Sequence, residues 1–316
     1  MTYTALTTHS QIDNMAQTAA LEAKLRPTVE NSPQTIGAYD PFLNMDNWDD
    51  REARYCINDL NLRAATPDQA AVRTHLLRQS GLKPGDSVLE LGCGTGRLLS
   101  DLARAVGVAG HAIGLEPQRL LAEEAERCVA QQKLTAIARV ICARAEAIPL
   151  PDSSIDACVA QTTLIHIQQH LRPRVFGEVR RLLKPGGVFV TVDQDIDTWV
   201  IDHTQRDVTR KIVQFSSDSG YADGWTGRHL RRLLKQNGFA NVEVQCLTHS
   251  DTEGESHLFR MARRVARSAA AHGVVSEEEC QKWLDELDQR AAEGDFFSSV
   301  CFFCCRGTKE QPTERA

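Results

Sequence analysis

The run Val88-Leu89-Glu90-Leu91-Gly92-Cys93-Gly94-Thr95-Gly96-Arg97 constrains this chain more than any other ten residues. Three apolar residues broken only by Glu90 predict a buried strand, which leads straight into glycines at alternate positions. From Arg97 the spacing turns helical, with Leu98, Leu99, Leu102 and Ala103 apolar. Strand, glycine turn and helix open a nucleotide-binding βαβ unit. Glycine lets the backbone turn sharply and lets a ligand lie on bare main chain, with a helix N-terminus facing it. Two common versions do not fit. The dinucleotide loop G-x-G-x-x-G needs a third glycine where Arg97 stands, and a phosphate-cradling loop needs Gly-Lys-Ser/Thr, which is absent.

The flanking text repeats the strand–helix alternation. A helix starts at Pro67 and ends at Gly81. Further strands are expected at Ala112–Leu115, closing on Glu116, at Ala138–Ala143, at Asp156–Ala160 and at Val188–Val192. Helices are expected over Leu120–Gln132 and Arg172–Leu183, the second stopped by Lys184-Pro185-Gly186-Gly187. Such alternation predicts a mostly parallel sheet with helices on both faces, and ligands in such sheets sit at the carboxyl ends of the strands. Further on, Asp207–Phe215 and Arg228–Gln236 read as helices and Val242–Leu247 alternates as a strand. Leu258, Met261, Ala262 and Val265 share a helical face, and Ser276-Glu277-Glu278-Glu279 has the form of a capping box. A last strand lies within Phe296–Cys305. Residues 1 to about 50 are polar and broken by Pro27, Pro33 and Pro41, with one short helix over Asp13–Arg26.

Several segments, in order, resemble the class I S-adenosylmethionine (SAM) dependent methyltransferases. They are Glu90 to Gly96, then Gly114-Leu115-Glu116-Pro117, then Ala145-Glu146-Ala147-Ile148-Pro149-Leu150-Pro151-Asp152. Val179-Arg180-Arg181-Leu182-Leu183-Lys184-Pro185-Gly186-Gly187 and Leu234 to Val242 complete the set. The chain is most similar to the small-molecule enzymes related to ubiquinone and menaquinone biosynthesis. The resemblance implies an α/β fold: a Rossmann-like class I methyltransferase with a mostly parallel central sheet, helices on both faces and extra C-terminal helices. It divides the chain into an N-terminal lid or extension (1–66), a methyltransferase domain (67–310) with an inserted helical segment at about 250–294, and a tail (311–316).

The resemblance also distributes roles. Glu116 would accept the two vicinal hydroxyls of SAM's ribose, a role that NAD's ribose would suit equally. Main chain at Gly92, Cys93, Gly94 and Gly96 would approach the methionine part, and Glu90 would orient its ammonium group or a water. Pro117, Arg144 and Ala145 would border the adenosine. Arg144 stands where the family commonly has an aspartate, and arginine cannot accept from the adenine amino group. Gln161 and Thr162 would close the fourth strand near the methyl. His166 is the candidate general base, needed only where the acceptor must lose a proton; a packed core histidine is the other reading. Tyr39, Asp193, Asp195, Asp197 and His203 are candidate acceptor residues, with an acidic solvated loop as the alternative for the three aspartates. Arg260, Arg263, Arg264 and Arg267 form a stripe at helical spacing, read as a solvated face or as a seat for an anionic acceptor.

Composition narrows the partners. Apolar residues make up 42% and charged residues 25%, enough to build a folded core. A formal charge of −6 argues against a nucleic-acid binder. No apolar run approaches the ~18 residues of a membrane span, and the N-terminus has no basic-then-apolar leader. The expectation is a cytoplasmic enzyme with a small-molecule acceptor, no nucleic-acid or membrane partner and no metal, its oligomeric state left open. Of the ten cysteines, Cys301, Cys304 and Cys305 cluster near the end. They read as a buried strand flanked by phenylalanines, or as the thiols of an arsenite-type methyltransferase. A non-catalytic SAM-binding regulator and, less well supported given Arg97, a nicotinamide dehydrogenase complete the alternatives. The arsenite reading predicts that changing any of the three clustered cysteines to serine abolishes turnover, whereas structural thiols predict turnover that survives.

Overall fold

Alternation along β1 (Ser87–Leu91) divides the molecule into two layers. Val88 points into one apolar cluster and Leu89 and Leu91 into another, because successive strand residues face opposite sides of a sheet. In this computed structural model, which describes residues 40–310, β1 pairs in parallel with β2 (His111–Leu115) and β4 (Ile155–Gln161). Next come β3 (Ala138–Ile141) beside β2 and β5 (Leu183–Ile201) beside β4. Two antiparallel strands, β6 (Phe239–Asp251) and β7 (Ser298–Lys309), complete the order β3-β2-β1-β4-β5-β7-β6 among the described residues. The parallel strands are those expected from the strand–helix alternation, and the whole order is the class I methyltransferase fold that the resemblance implies. The helix expected over Asp13–Arg26 and the candidate Tyr39 lie outside the described residues.

One face of the sheet carries α2 (Pro67–Ser80), α3 (Arg97–Val106), α4 (Arg119–Gln131), α6 (Arg206–Ser219), α8 (His257–Ala271) and α9 (Glu277–Glu293). The other carries α5 (Arg172–Leu182) and α7 (Thr226–Gln236). The helix α3 shows why the opening motif folds as it does. Its residues Leu98, Leu99, Leu102, Ala103 and Val106 form one buried stripe, each large side chain worth about 1.5–3 kcal/mol against exposure. Gly107 ends it. Ahead of the sheet, α1 (Asp50–Ala65) begins at a capping box between Asp49 and Glu52 and stops at Thr66, which caps α2 in turn. Among the described residues no helix is long and apolar enough to cross a membrane.

Two expectations need correction. The fifth strand does not stop at Val192: it continues through Asp193-Gln194-Asp195-Ile196-Asp197 to Ile201, so the acidic run is strand and not a solvated loop. Partners far away in sequence make this possible. Asp195 is 1% exposed and is met by the guanidinium of Arg228, while Asp193 accepts the Ile165 N–H at 3.3 Å. The arginine stripe on α8 is likewise not a solvated face. Arg260 and Arg264 turn towards α1, their side chains 15% and 14% exposed and within 3.8 and 4.0 Å of buried Asp59, where His257 approaches to 3.6 Å. Burial alone would raise the Asp59 carboxyl, yet His257 and the two guanidiniums outweigh it and hold it below the ordinary carboxylate range.

A second buried cation fixes the loop after β4. Arg172 is 4% exposed and spends every arm of its guanidinium. Its Nε donates to the Ile167 carbonyl at 3.1 Å, Nη2 donates to the Leu164 carbonyl and Thr226 Oγ1 at 2.8 Å, and Nη1 reaches Asp223 at 2.7 Å. The short 3-10 turn Leu164–His166 is thereby clamped to the start of α7. Replacing Arg172 by alanine strands Asp223 as a buried, half-paired charge. Denaturant titration of Arg172→Ala is expected to show a loss of about 3–5 kcal/mol.

Candidate active site

The parallel register sets the strand tips level. Leu91 of β1 lies opposite Leu115 of β2 and Ala160 of β4, Leu115 lies opposite Ile141, and Gln161 lies opposite Val192. The residues that follow, Gly92, Glu116 and Thr162, therefore emerge along one edge of the sheet. Helix α1 crosses above that edge and contributes Leu60 and Arg63, closing a trough with two arms. One arm holds Gln69, Arg73, Glu90, Cys93 and Thr95. The other holds Glu116, Pro117, Arg144, Ala145, Glu146 and His166. Gly92, Gly94 and Gln161 belong to both.

Two of the glycines do different work. Gly94 has φ +52°, a conformation side-chain-bearing residues rarely take, and its N–H donates to Glu116 Oε2 at 3.0 Å. It faces the trough beneath Leu60. Gly96, at φ +78°, begins α3 and does not line the trough. A Cβ there would lie 2.9 Å from the Ala125 Cα of α4, so Gly96 is a packing glycine.

Both carboxylates of the motif are buried. Glu116, 5% exposed, is pushed up to about 7 by burial, against the pull of N–H donors from Gln118 at 3.1 Å and Gly94. A carboxylate oxygen has lone pairs left after one such bond, so Glu116 can still receive hydroxyl donors from the trough. Glu90, 3% exposed, is held well above the usual range by burial and by the nearby Glu116 charge, and its Oε2 has no hydrogen-bond partner. An orphaned buried carboxyl costs free energy unless something fills its place. Here the open place is in the arm that also holds the Arg73 side chain.

The end of β4 forms the wall between the arms. Gln161 donates through Nε2 to Gln69 Oε1 at 2.9 Å. Thr162, a β-branched residue, is held at φ +52°, and its hydroxyl is hydrogen-bonded to Arg63. Strain of that kind, on the order of 1–3 kcal/mol, persists where surroundings over-determine the backbone, and it concentrates at functional positions. Here the Thr162 N–H donates to Val192 O at 2.7 Å and locks the turn. His166 follows on the clamped 3-10 turn. Across the mouth, the 3-10 segment Pro41–Asn47 is tied down by an Asp46–Arg144 ion pair.

Besides Gly96, the candidates that the structure does not bring to the trough are the acidic run and His203. Asp193 is buried behind the turn that carries His166, and burial pushes it up to about 6. Asp195 and Asp197 share Arg228, at 3.2 Å for Asp197. His203 stacks on Trp283 of α9 with ring centroids 4.7 Å apart and meets its carbonyl at 3.0 Å, and it does not line the trough. The three clustered thiols do not converge either: Cys304 belongs to one apolar cluster and Cys305 to the other, on opposite faces of β7. Among the described residues no group of three or more His, Cys, Asp or Glu could hold a metal ion. Leu60, Arg63, Arg73 and Thr163 line the trough without having been foreseen, because no motif marks a helix that reaches the edge only through tertiary packing. Phe42 lines it as well, brought there by the fold of the 41–47 segment.

A family profile described as "Methyltransferase domain" matches residues 88–187, the span from β1 into β5. The chain is 30% identical over 249 residues to an uncharacterized 37.1 kDa protein in transposon TN4556 of Streptomyces fradiae, covering 78% of this chain and 69% of that one. It is 27% identical over 121 residues to a ubiquinone/menaquinone biosynthesis C-methyltransferase of Marinomonas sp., covering 38% of this chain and 47% of the relative. This chain belongs to the class I SAM-dependent methyltransferases. In fold the methyltransferase is also similar to Haemonchus contortus phosphoethanolamine N-methyltransferase 2, solved with SAM, at a TM-score of 0.52 and 17% identity over 86% of this chain and 60% of that one.

SAM is the enzyme's cofactor, and the residues present suit it. An orphaned buried carboxyl answers an ammonium group, a second carboxylate answers a diol, and backbone with φ beyond the reach of most side chains leaves room between them. A methyl added at Gly94 would meet strained backbone and intrude on the trough, so Gly94→Ala is expected to weaken SAM binding by ~10-fold or more in calorimetry, with little change in fold by circular dichroism. Titration supplies a second check. A charged Glu116 accepts hydroxyl donors better than a protonated one. SAM affinity should therefore rise as pH increases through about 7 and level off above it. SAM's own amine titrates nearby, at about 8, so the comparison is with Glu116→Gln, which should lose this part of the dependence.

Proposed function

We propose that this enzyme transfers the methyl of SAM to a small-molecule acceptor held between Thr162 and the underside of α1. The observation that carries the reading is the paired carboxyls at neighbouring strand tips, Glu116 tied to the Gly94 N–H and Glu90 with an open oxygen in the adjoining arm. In this reading Glu116 receives the ribose hydroxyls and Glu90 the ammonium group. Main chain at Gly92, Cys93 and Gly94 flanks the methionine part, and the guanidiniums of Arg63 and Arg73 lie close enough to the same arm to face its carboxylate. Pro117 and Ala145 flank the adenosine. Arg144, engaged by Asp46, leaves recognition of the base to the main chain around Ala145.

Bound SAM supplies an electrophilic methyl and a thioether leaving group that keeps the carbon–sulfur electron pair. What the protein adds is position. Holding a nucleophile in line with an already activated methyl removes most of the entropic part of the barrier. The strained Thr162, the Gln161–Gln69 bond and Arg63 fix the wall against which an acceptor would rest. A small acceptor is favoured because α1 and the 41–47 segment both line the trough, so an acceptor would sit beside Phe42, Leu43 and Leu60.

Calorimetry and label transfer test the reading together. SAM should bind the wild-type enzyme, and Glu116→Ala should weaken binding by ~10-fold or more, the loss of a charge-assisted hydrogen-bond pair. Affinity unchanged in Glu116→Ala would remove Glu116 from the site.

A further inference from the structure

We infer that Asp40 is a positioning residue that fixes the imidazole of His166 as a base facing the trough, and hence that the acceptor is one that gives up an O–H proton. The inference rests on the methyl-transfer reading above and adds to it the chemical class of the acceptor. Asp40 stands at the start of the 3-10 segment Pro41–Asn47, and its side chain is wholly buried. One carboxylate oxygen caps the Phe42 N–H at 3.0 Å and the other lies 2.7 Å from His166 Nδ1. A carboxylate only accepts hydrogen bonds, so the proton of a neutral His166 ring must sit on Nδ1, and the free lone pair is then on Nε2. No described residue is hydrogen-bonded to Nε2, and the ring lines the trough.

Packing reinforces the orientation. The Phe42 ring lies 4.6 Å from the imidazole, centroid to centroid, and Tyr221 lies 5.8 Å away on another side. The carboxylate of Asp40 reaches the ring from the 3-10 segment, and Asp193 lies behind the turn that carries the ring, its Oδ1 accepting the Ile165 N–H. The arm that holds His166 pairs apolar Leu43, Met45, Ile167 and Leu171 with polar Thr162, Thr163 and Gln168. An amine can attack first and shed its proton later to water, so it needs no such device. A hydroxyl on an apolar frame does: its proton passes to Nε2, and the electron pair so freed forms the bond to the methyl carbon as the thioether departs with its own pair. The proton then leaves His166 for solvent.

Nitrogen-15 NMR of the full chain labelled at histidine tests the positioning without any cofactor, with His166→Gln assigning the signal. The wild-type ring should be the Nδ1–H tautomer when neutral, and Asp40→Asn or Asp40→Ala should shift it towards Nε2–H. An Nε2–H ring in the wild type, or a tautomer indifferent to Asp40, overturns the proposal. Methyl-labelled SAM offered with a fixed panel of phenols, enols, hydroxy acids and amines tests the acceptor class. Label should reach hydroxyl compounds, with kcat down ~100-fold or more in His166→Gln and at least ~10-fold in Asp40→Asn. Asp40→Glu should recover part of the loss, and SAM affinity should stay unchanged in all three. Label reaching only amines, or a rate indifferent to His166, overturns the acceptor class, as does SAM bound with label reaching no panel member. Failure of SAM to bind the wild-type enzyme would instead count against the methyl-transfer reading.

Discussion

The hydrogen bond from the Gly94 N–H to Glu116 joins the tips of two neighbouring strands, and the geometry of the trough depends on it. It forms because parallel pairing of β1 with β2 sets Leu91 opposite Leu115, so the next residue of each strand leaves the sheet at the same height. It also requires a left-handed residue where the loop turns, which a glycine supplies. The same bond governs the electrostatics. Burial drives the Glu116 carboxyl up to about 7, and the two backbone donors keep it from rising further. Glu90, with no such donors, is held well above the ordinary range. Both glutamates are raised by burial, but Glu116 is restrained by two backbone N–H donors, whereas Glu90 is pushed further by the Glu116 charge beside it.

The sheet supplies the floor of the site, and pieces outside the strand–helix alternation supply the roof. Helix α1 reaches the edge through Leu60 and Arg63 and is anchored from behind at Asp59 by His257 and the arginines of α8. Helix α8 therefore acts on the site at one remove, by holding α1 in place. Helix α9 is secured by Trp283, whose indole N–H donates to Thr209 of α6 at 2.9 Å and whose ring stacks on His203. The 3-10 segment ahead of α1 is tied at both ends, to His166 through Asp40 and to Arg144 through Asp46. Arg172 completes the frame by clamping the turn that bears His166. The anchors at Asp59, Asp40, Asp46 and Arg172 are ion pairs or charge-assisted bonds rather than apolar packing.

The floor of the site could be read along the chain because its determinants are local. Alternate glycines, apolar runs of strand length and helical leucine spacing are properties of ten residues at a time, and they located β1, α3, β2 and α5 to within a few residues. Glu116 was legible for the same reason, being the residue on which an apolar strand ends. Where local text misled, the deciding partner was distant. Asp193 and Asp195 look like loop acids until Ile165 and Arg228 are placed beside them, and the latter is thirty-three positions further on. The arginines of α8 look solvated until Asp59 is brought to them from the first helix of the sheet domain's roof.

What the sequence determined by itself was the class of fold and the edge of the sheet on which a ligand lies. Those follow from periodicity and from glycines and acids whose backbone or charge admits few alternatives; the kind of ligand came from the resemblance carried by its ordered motifs. Only the tertiary structure decided which residues close that edge from above and which histidine is oriented towards it. Asp40 and His166 are 126 residues apart and meet at 2.7 Å. No spacing rule encodes such a pair, because the contact exists only after the sheet has formed, Arg172 has clamped the turn and the leading segment has folded back across the strand tips.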